Sequence, residues 1–318
     1  MNFPLFPRQA STTAELTDHL FYFLMGLSVL VIIVVFFPMI VFLFKYRRGK
    51  KANREIPSWN TNKIEFTWAA IPTLIAMGLF GWGADVYFYE EVPPPDTLQI
   101  NVIGKQWMWK IQHQEGISEI NELHLPVDRA IKITLGSEDV IHSLFIPAFR
   151  IKQDAVPGRF TTEWFQPDRI GQYHFFCSEY CGANHAEMQG TVYVMSQRDY
   201  QNWLAANRPK DTLAQSGGKL FRQLGCSGCH VNSNAVHAPP LEGLYGRLVP
   251  LSDDTFVRAD DKYIRDSIVL PKSQVVAGYQ PVMPTYQGHI SEENLLKIIA
   301  YIKSIGDQKT EENERQGN

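Results

Sequence analysis

From Leu20 to Phe44 the chain carries no charged residue, and from Phe66 to Ala84 it again carries none. A helix needs ~20 apolar residues to cross the hydrocarbon core of a bilayer. Inside that core only a structure that satisfies its own backbone hydrogen bonds survives. Buried helices of a soluble protein are the competing reading of both runs, and a signal peptide is a second rival for the first. The first run exceeds the usual ~7–15-residue apolar region of a signal peptide, and its basic cluster follows it instead of preceding it. That cluster, KYRRGKKANRE at 45–55, sets an orientation, because Lys and Arg are enriched on cytoplasmic loops. The expected anchor is a two-helix transmembrane hairpin over 20–92 in the plasma (inner) membrane. Its loop 45–65 is cytoplasmic, and the N-terminal tail 1–19 lies on the outer face. VPPPD at 92–96 is a stiff exit, and all that follows, with the C-terminus, is expected on the outer, periplasmic side.

Lys and Arg number 30 against 33 Asp and Glu in 318 residues, a net charge of −3. A nucleic-acid binder would normally show a basic excess. Beyond the anchor, TLQINVIG, AIKITLGS, TTEWFQ, GQYHFFC and GTVYVMS are short runs of branched and aromatic residues bounded by turn formers. They predict a β-sandwich or barrel over 93–206. The polar, Pro- and Gly-containing stretch 207–218 reads as a linker. From 219 to 306 the pattern is helical. SEENLLKIIAYIKSIG has Ser291 as its N-cap, an apolar face at 295, 298, 299, 302 and 305, and a terminal Gly306. The polar tail 307–318 is expected to fray.

The four cysteines occupy two tight clusters. Cys226-Ser-Gly-Cys229-His230 has the C-x-x-C-H spacing of covalent haem c attachment, in which two thioethers hold the porphyrin edge and the adjacent His reaches the iron. A redox disulfide and half of a zinc site are the alternatives, and no second C-x-x-C exists to complete the latter. Met283 is the one methionine after residue 195 and is the candidate sixth ligand. His237 and His289 are its rivals. The other cluster, Cys177-x3-Cys181-x3-His185-x2-Met188, joins two thiols, an imidazole and a thioether, with His142 upstream. Such soft donors suit copper electron transfer. A mononuclear blue site needs one Cys; a second, four positions on, allows two sulfurs to bridge two copper ions. A disulfide and a Cys2His2 zinc site remain open from the spacing alone.

With these residues assembled, the chain resembles subunit II of haem–copper cytochrome c oxidases, in the caa-type version with a fused C-terminal cytochrome c. The resemblance rests on His142-Ser143, DAVPGR at 154–159, and C-S-E-x-C-G-x-N-H-x-x-M at 177–188. It implies a multi-domain membrane protein: the helix hairpin, a cupredoxin fold holding dinuclear copper A, then an all-α class I cytochrome c. By the same resemblance His142 and His185 each bind one copper, and Cys177 and Cys181 bridge both. Met188 and the Glu179 carbonyl are weak ligands, and the Glu179 side chain reaches a magnesium or manganese ion at the subunit I interface. APPLEGLYGR at 238–247 resembles the cytochrome c loop in which the Pro239 carbonyl orients His230 and Arg247 faces a haem propionate. Trp107, in GKQWMWK, matches the tryptophan through which electrons arrive; a plain core aromatic is the alternative. Glu65, in IEFTWAAIP, matches the glutamate at the mouth of a proton channel, with an interfacial charge as the alternative. Glu138, Asp139 and Asp154 are candidate docking acids for a basic cytochrome c, or else a solvated face.

The implied function is delivery of electrons to an oxidase: from an upstream complex or soluble cytochrome c to the haem, to copper A, and to subunit I, where dioxygen becomes water with proton translocation. Subunit III is a further expected partner. Two other classes of function share most of these features. One is the electron-receiving subunit of a copper-A nitric oxide reductase, and the other is a stand-alone membrane-anchored carrier. Glu65 and Glu179 favour the oxidase.

Overall fold

In a computed structural model, which describes residues 6–51, 61–231 and 238–316, the two apolar runs lie within helices α1 (Thr12–Lys45) and α2 (Thr61–Glu91). Both exceed the expected spans. Residues 12–19, assigned from sequence to the N-terminal tail, are helical because Ala, Glu and Leu extend the helix without a breaker. Only part of the 45–65 loop falls among the described residues. The two helices touch through Thr17 Oγ1 and Glu90 Oε1 at 2.8 Å, and through the rings of Phe23 and Trp82 at 5.4 Å. Phe37, Phe44, Phe66 and Phe80 stand exposed along them. So long an apolar surface calls for lipid or a partner helix.

A second compact unit comprises residues 1–11 and 94–318. Its first part is a β-sandwich: β1 (Leu98–Lys105), β2 (Met108–His113), β3 (Ser118–Ile120), β4 (Glu122–Pro126), β5 (Ile131–Ser137), β6 (His142–Ile146), β7 (Ile151–Ala155), β8 (Thr161–Phe165), β9 (Gly171–Cys177) and β10 (Gln189–Met195). One sheet has the order β3-β2-β1-β5-β8 and the other β4-β10-β9-β6-β7. The pairs β1–β5 and β4–β10 are parallel, and the other strand pairs of the two sheets are antiparallel. Strand side chains alternate between faces. Ile100, Val102, Trp109, Ile111, Ile131 and Ile133 from the first sheet therefore meet Leu123, Leu144, Phe175 and Val192 from the second in one buried core. Residues just before α1 are stitched to the sandwich, with Ala10 N donating to Ala148 O at 2.8 Å and Ser11 Oγ to Phe149 O at 3.0 Å.

Helices follow: α3 (Gln197–Asn207), α4 (Leu213–Gln223), α5 (Ser227–His230), α6 (Asp261–Val269) and α7 (Glu292–Gln316), with a small ribbon of β11 (Leu248–Pro250) and β12 (Phe256–Arg258). The expected 207–218 linker is thus largely structured. Thr212 and Gln215 form a reciprocal capping box that starts α4. Gly217 and Gly218 are the contact with α7, since a Cβ at Gly217 would sit 1.8 Å from Lys297 O. The glycines that suggested flexibility are there for close helix approach. Ser291 Oγ accepts from Asn294 N at 3.3 Å, capping α7. That helix continues past Gly306 to Gln316, through the segment expected to fray. Its Gln, Lys, Glu and Arg residues are good helix formers, and one glycine costs only ~1 kcal/mol against alanine.

Candidate functional site

Strand β6 begins at His142 and β9 ends at Cys177, and the two strands are hydrogen-bonded neighbours. The β9–β10 loop then returns Cys181, His185 and Met188 to the same place. Cys177 Sγ lies 3.7 Å from Cys181 Sγ and 3.9 Å from His142 Nδ1. Cys181 Sγ lies 3.5 Å from His185 Nδ1 and 3.8 Å from Met188 Sδ. The carbonyl of Glu179 is 3.2 Å from Cys177 Sγ, while the Glu179 side chain is exposed. Each of the other four residues expected from the sequence therefore lies within 3.9 Å of one of the two sulfurs. His142, Cys177, Cys181 and Met188 are buried, and His185 is half-buried.

Both thiols are free. Their separation is far beyond the ~2.05 Å of a disulfide bond. Burial works against charge on Cys177, but hydrogen bonds involving His142, Ser143 and Glu179 outweigh it and bring its pKa down to about 6. Cys181, desolvated and facing the Cys177 thiolate, is pushed up to about 12. Two sulfurs side by side, an imidazole beyond each, then a thioether and a carbonyl, make a soft donor set that fits copper. His142 Nε2 donates to Asp139 Oδ1 at 2.8 Å, which turns Nδ1 toward the Cys177 sulfur.

Trp107 sits at the rim, half-buried, and its Nε1 donates to Cys181 O at 3.2 Å. The Gln106 side-chain amide donates to the same carbonyl at 2.8 Å. Gln106 escapes a motif reading because nothing in its own residue type marks it. The three candidate docking acids have intramolecular partners. Glu138 pairs with Lys105 at 3.2 Å and Lys110 at 3.6 Å, Asp139 holds His142, and Asp154 accepts from Ser143 Oγ at 2.7 Å and Lys152 Nζ at 3.1 Å. Asp139 is placed to position the His142 ring. Glu65 lies near the start of α2, exposed.

The helical part encloses a largely apolar cavity of about 510 Å³. Cys226, Cys229 and His230 line it together with Met283, Arg247 and Pro239. His230 Nδ1 lies 3.0 Å from Pro239 O, which fixes the tautomer and leaves Nε2 for a metal. Tyr286 Oη donates to Leu224 O at 2.8 Å, tying the cavity wall to the turn before the cysteines. His289, a rival sixth ligand, is exposed and outside the cavity lining, and His237 lies outside the described residues. An apolar slot with two thiols, an oriented imidazole and a thioether fits a covalently attached haem.

Comparison with known proteins gives three matches along the chain. Residues 1–80 match the family described as cytochrome c oxidase subunit II, transmembrane domain, and residues 114–195 match its periplasmic domain. Residues 214–306 match the cytochrome c family. The chain is 29% identical over 291 residues to cytochrome c oxidase subunit 2 of Alkalihalophilus pseudofirmus, an alignment covering 87% of this chain and 83% of that one. It is 28% identical over 259 residues to the Synechocystis protein of the same name, covering 66% and 78%. To that of Cereibacter sphaeroides it is 28% identical over 222 residues, covering 57% and 73%.

Proposed function

Because this chain belongs to the cytochrome c oxidase subunit II family, in the form extended by a cytochrome c domain, we propose that it receives electrons at its own haem c and passes them through its dinuclear copper centre to subunit I of a haem–copper terminal oxidase. The family makes it a membrane-anchored subunit of an oxidoreductase complex and a neighbour of subunit I. The same matches imply haem c in the cytochrome c domain and copper A in the periplasmic one.

The observation that carries the reading is the pair of free sulfurs 3.7 Å apart with one imidazole beyond each. When bound, the copper pair and the haem each take up and release single electrons. The protein's part is to keep the ligands still. His142 is locked by Asp139, Cys181 is locked through its carbonyl by Gln106 and Trp107, and Met188 is buried in the core. Little then has to move when the charge of the site changes. Cys177, Cys181, His142 and His185 would hold the copper pair, with Met188 and the Glu179 carbonyl as weaker donors. The Glu179 side chain would reach a magnesium or manganese ion shared with subunit I. In the helical part Cys226 and Cys229 would hold the haem covalently, His230 and Met283 would supply its iron ligands, and Arg247 would meet a propionate.

Further elements of the proposal are Trp107 as the contact for a diffusing donor and Glu65 as the cytoplasmic mouth of a proton channel into subunit I. Dioxygen reduction with proton translocation takes place in that partner, subunit III completes the complex, and both soluble parts face the outer side of the plasma membrane. The test is purification of the native complex, with reduced-minus-oxidised spectra and metal analysis. Haem c and copper bands together with a haem a or other high-spin haem, and dioxygen consumption, are the expected result. A preparation with no second haem protein would make the chain a stand-alone carrier, and turnover of nitric oxide instead of dioxygen would make it a reductase subunit.

A further inference from the structure

The outer face of the sheet β3-β2-β1-β5-β8 is polar in type but buried in fact. Gln112, Asn101 and Thr134 lie in register across β2, β1 and β5, at 1%, 6% and 4% exposure. The next outer row is Lys110, Ile103 and Gly136. Ile103 is fully buried, and with Phe160 it belongs to the core cluster of the helical part, alongside Leu295, Ile298 and Ile302. Ile298 and Ile302 also line the haem cavity. Phe160 covers Gly136 on one side and carries the Arg265 guanidinium 5.6 Å from its ring on the other, with Arg265 held by Glu292 at 2.5 Å. Lys110 reaches Glu293 at 3.6 Å, and Lys303 reaches Gln99 at 3.4 Å. The helical part is thus seated on this face, with apolar contacts at the centre and charges at the rim.

The other side of the same strand touches the copper ligands. Gly104, adjacent to Ile103, points inward, and a Cβ there would lie 2.7 Å from Cδ2 of the His142 ring. At this point a single strand separates the cytochrome core from a copper-binding imidazole.

We propose that the tethered cytochrome works from this fixed seat, and that its electrons cross β1 at Ile103–Gly104 to reach the copper site from its His142 side. Trp107, on the Cys181 side, is left to an external donor. The proposal rests on the assignment of haem c and copper to their two sites. Each transfer oxidises the haem iron by one electron and reduces the copper pair by one, with no bond made or broken. Ile103 and Gly104 are positioning residues: Ile103 seats the helical part on the strand, and Gly104 leaves room for the His142 ring.

The test is flash photoreduction of the haem in the purified complex, following its reoxidation as copper is reduced. A seated donor gives a wild-type rate that changes less than about twofold between ~0.01 and ~1 M salt, and that does not follow solvent viscosity. Ile103→Asp places a charge in the seam and should slow transfer at least ~10-fold by lowering the effective concentration of the donor. Copper and haem absorption should stay at wild-type levels. Should that variant lose a centre, Phe160→Ala is the milder substitute and should slow transfer ~3-fold on the same grounds. A wild-type rate that tracks viscosity, or unchanged transfer in variants that keep both spectra, overturns the seated route. Absence of either band from the wild type instead overturns the assignment of the two centres, and the route with it.

Discussion

Oδ1 of Asp139 lies 2.8 Å from Nε2 of His142, while the other nitrogen of that ring faces the Cys177 sulfur at 3.9 Å. The carboxylate is itself anchored, accepting from Gln106 N at 2.8 Å and from Val140 N at 2.7 Å. It holds the imidazole in one tautomer and one orientation. Asp139→Ala should therefore weaken copper binding by ~10–100-fold, the usual cost of losing such an outer partner. Asp139→Asn keeps an acceptor and should lose less. Competition against a copper chelator measures both, and equal affinity in wild type and Asp139→Ala would show that the ring needs no holding.

Copper loading should strengthen as pH rises. Burial opposes ionisation of both thiols. At Cys177 the hydrogen bonds prevail and its pKa falls to about 6, whereas at Cys181 the adjacent Cys177 thiolate adds to burial and drives it to about 12. At neutral pH the metal-free pair thus retains the Cys181 proton, which a bridging thiolate must give up. Apparent affinity should climb by at least about one decade per pH unit between about 6 and 9, and more steeply below 6, where Cys177 also has a proton to lose. A flat chelator-competition profile over that range would mean the second sulfur is already ionised before metal arrives.

That the residues of the two clusters come together was legible because they are dense in sequence and their types are rare. Cys177, Cys181, His185 and Met188 fall on one loop, and C-x-x-C-H is contiguous. The seat of the helical part was not legible. Asn101, Gln112 and Thr134 alternate with apolar residues just as a solvated face would, and only a partner surface reveals that they are covered. Gly217 and Gly218 misled for the same reason, since a glycine reads alike in a flexible linker and under a crossing helix. Asp139 and Glu138 read as surface charge because their partners, His142 and the lysines of β1 and β2, are set by strand pairing. Strands β6 and β7 are short and are brought together by a 3₁₀ turn at Pro147–Phe149, which no local pattern announces.

Away from both cysteine clusters, Glu119 bridges His113 Nε2, at 2.7 Å, and His124 Nδ1, and the His124 ring is stacked between Tyr193 and Trp203 at 4.5 Å from each. Trp203 belongs to α3, so the network fastens that helix to β2, β3 and β4. Burial raises the Glu119 pKa, but the two histidines outweigh it and hold it below the usual 4.5. A carboxylate whose folded pKa is depressed stabilises the fold above its unfolded pKa, and that stabilisation is lost as pH falls through the folded value. Glu119→Gln should cost ~1–3 kcal/mol near neutral pH and should flatten the decline in stability below about pH 4.5. Thermal unfolding at a series of pH values measures this; a parallel decline in wild type and variant would remove Glu119 from the acid response.

Met283 is the thioether that the cavity places with His230, and its rival His289 stands outside the lining. Methionine favours the reduced iron, whereas a second imidazole favours the oxidised form. Met283→His should accordingly keep the haem attached, since Cys226 and Cys229 are untouched, and lower its reduction potential. A drop on the order of one to a few tenths of a volt falls within the ~0.8 V that axial ligands span. Haem c would then be harder to reduce, so a donor of fixed potential should leave more of it oxidised at steady state. Potentiometric titration of the haem c band reads the shift directly. An unchanged potential in a variant that retains its haem would mean that some other side chain, or water, occupies the sixth position.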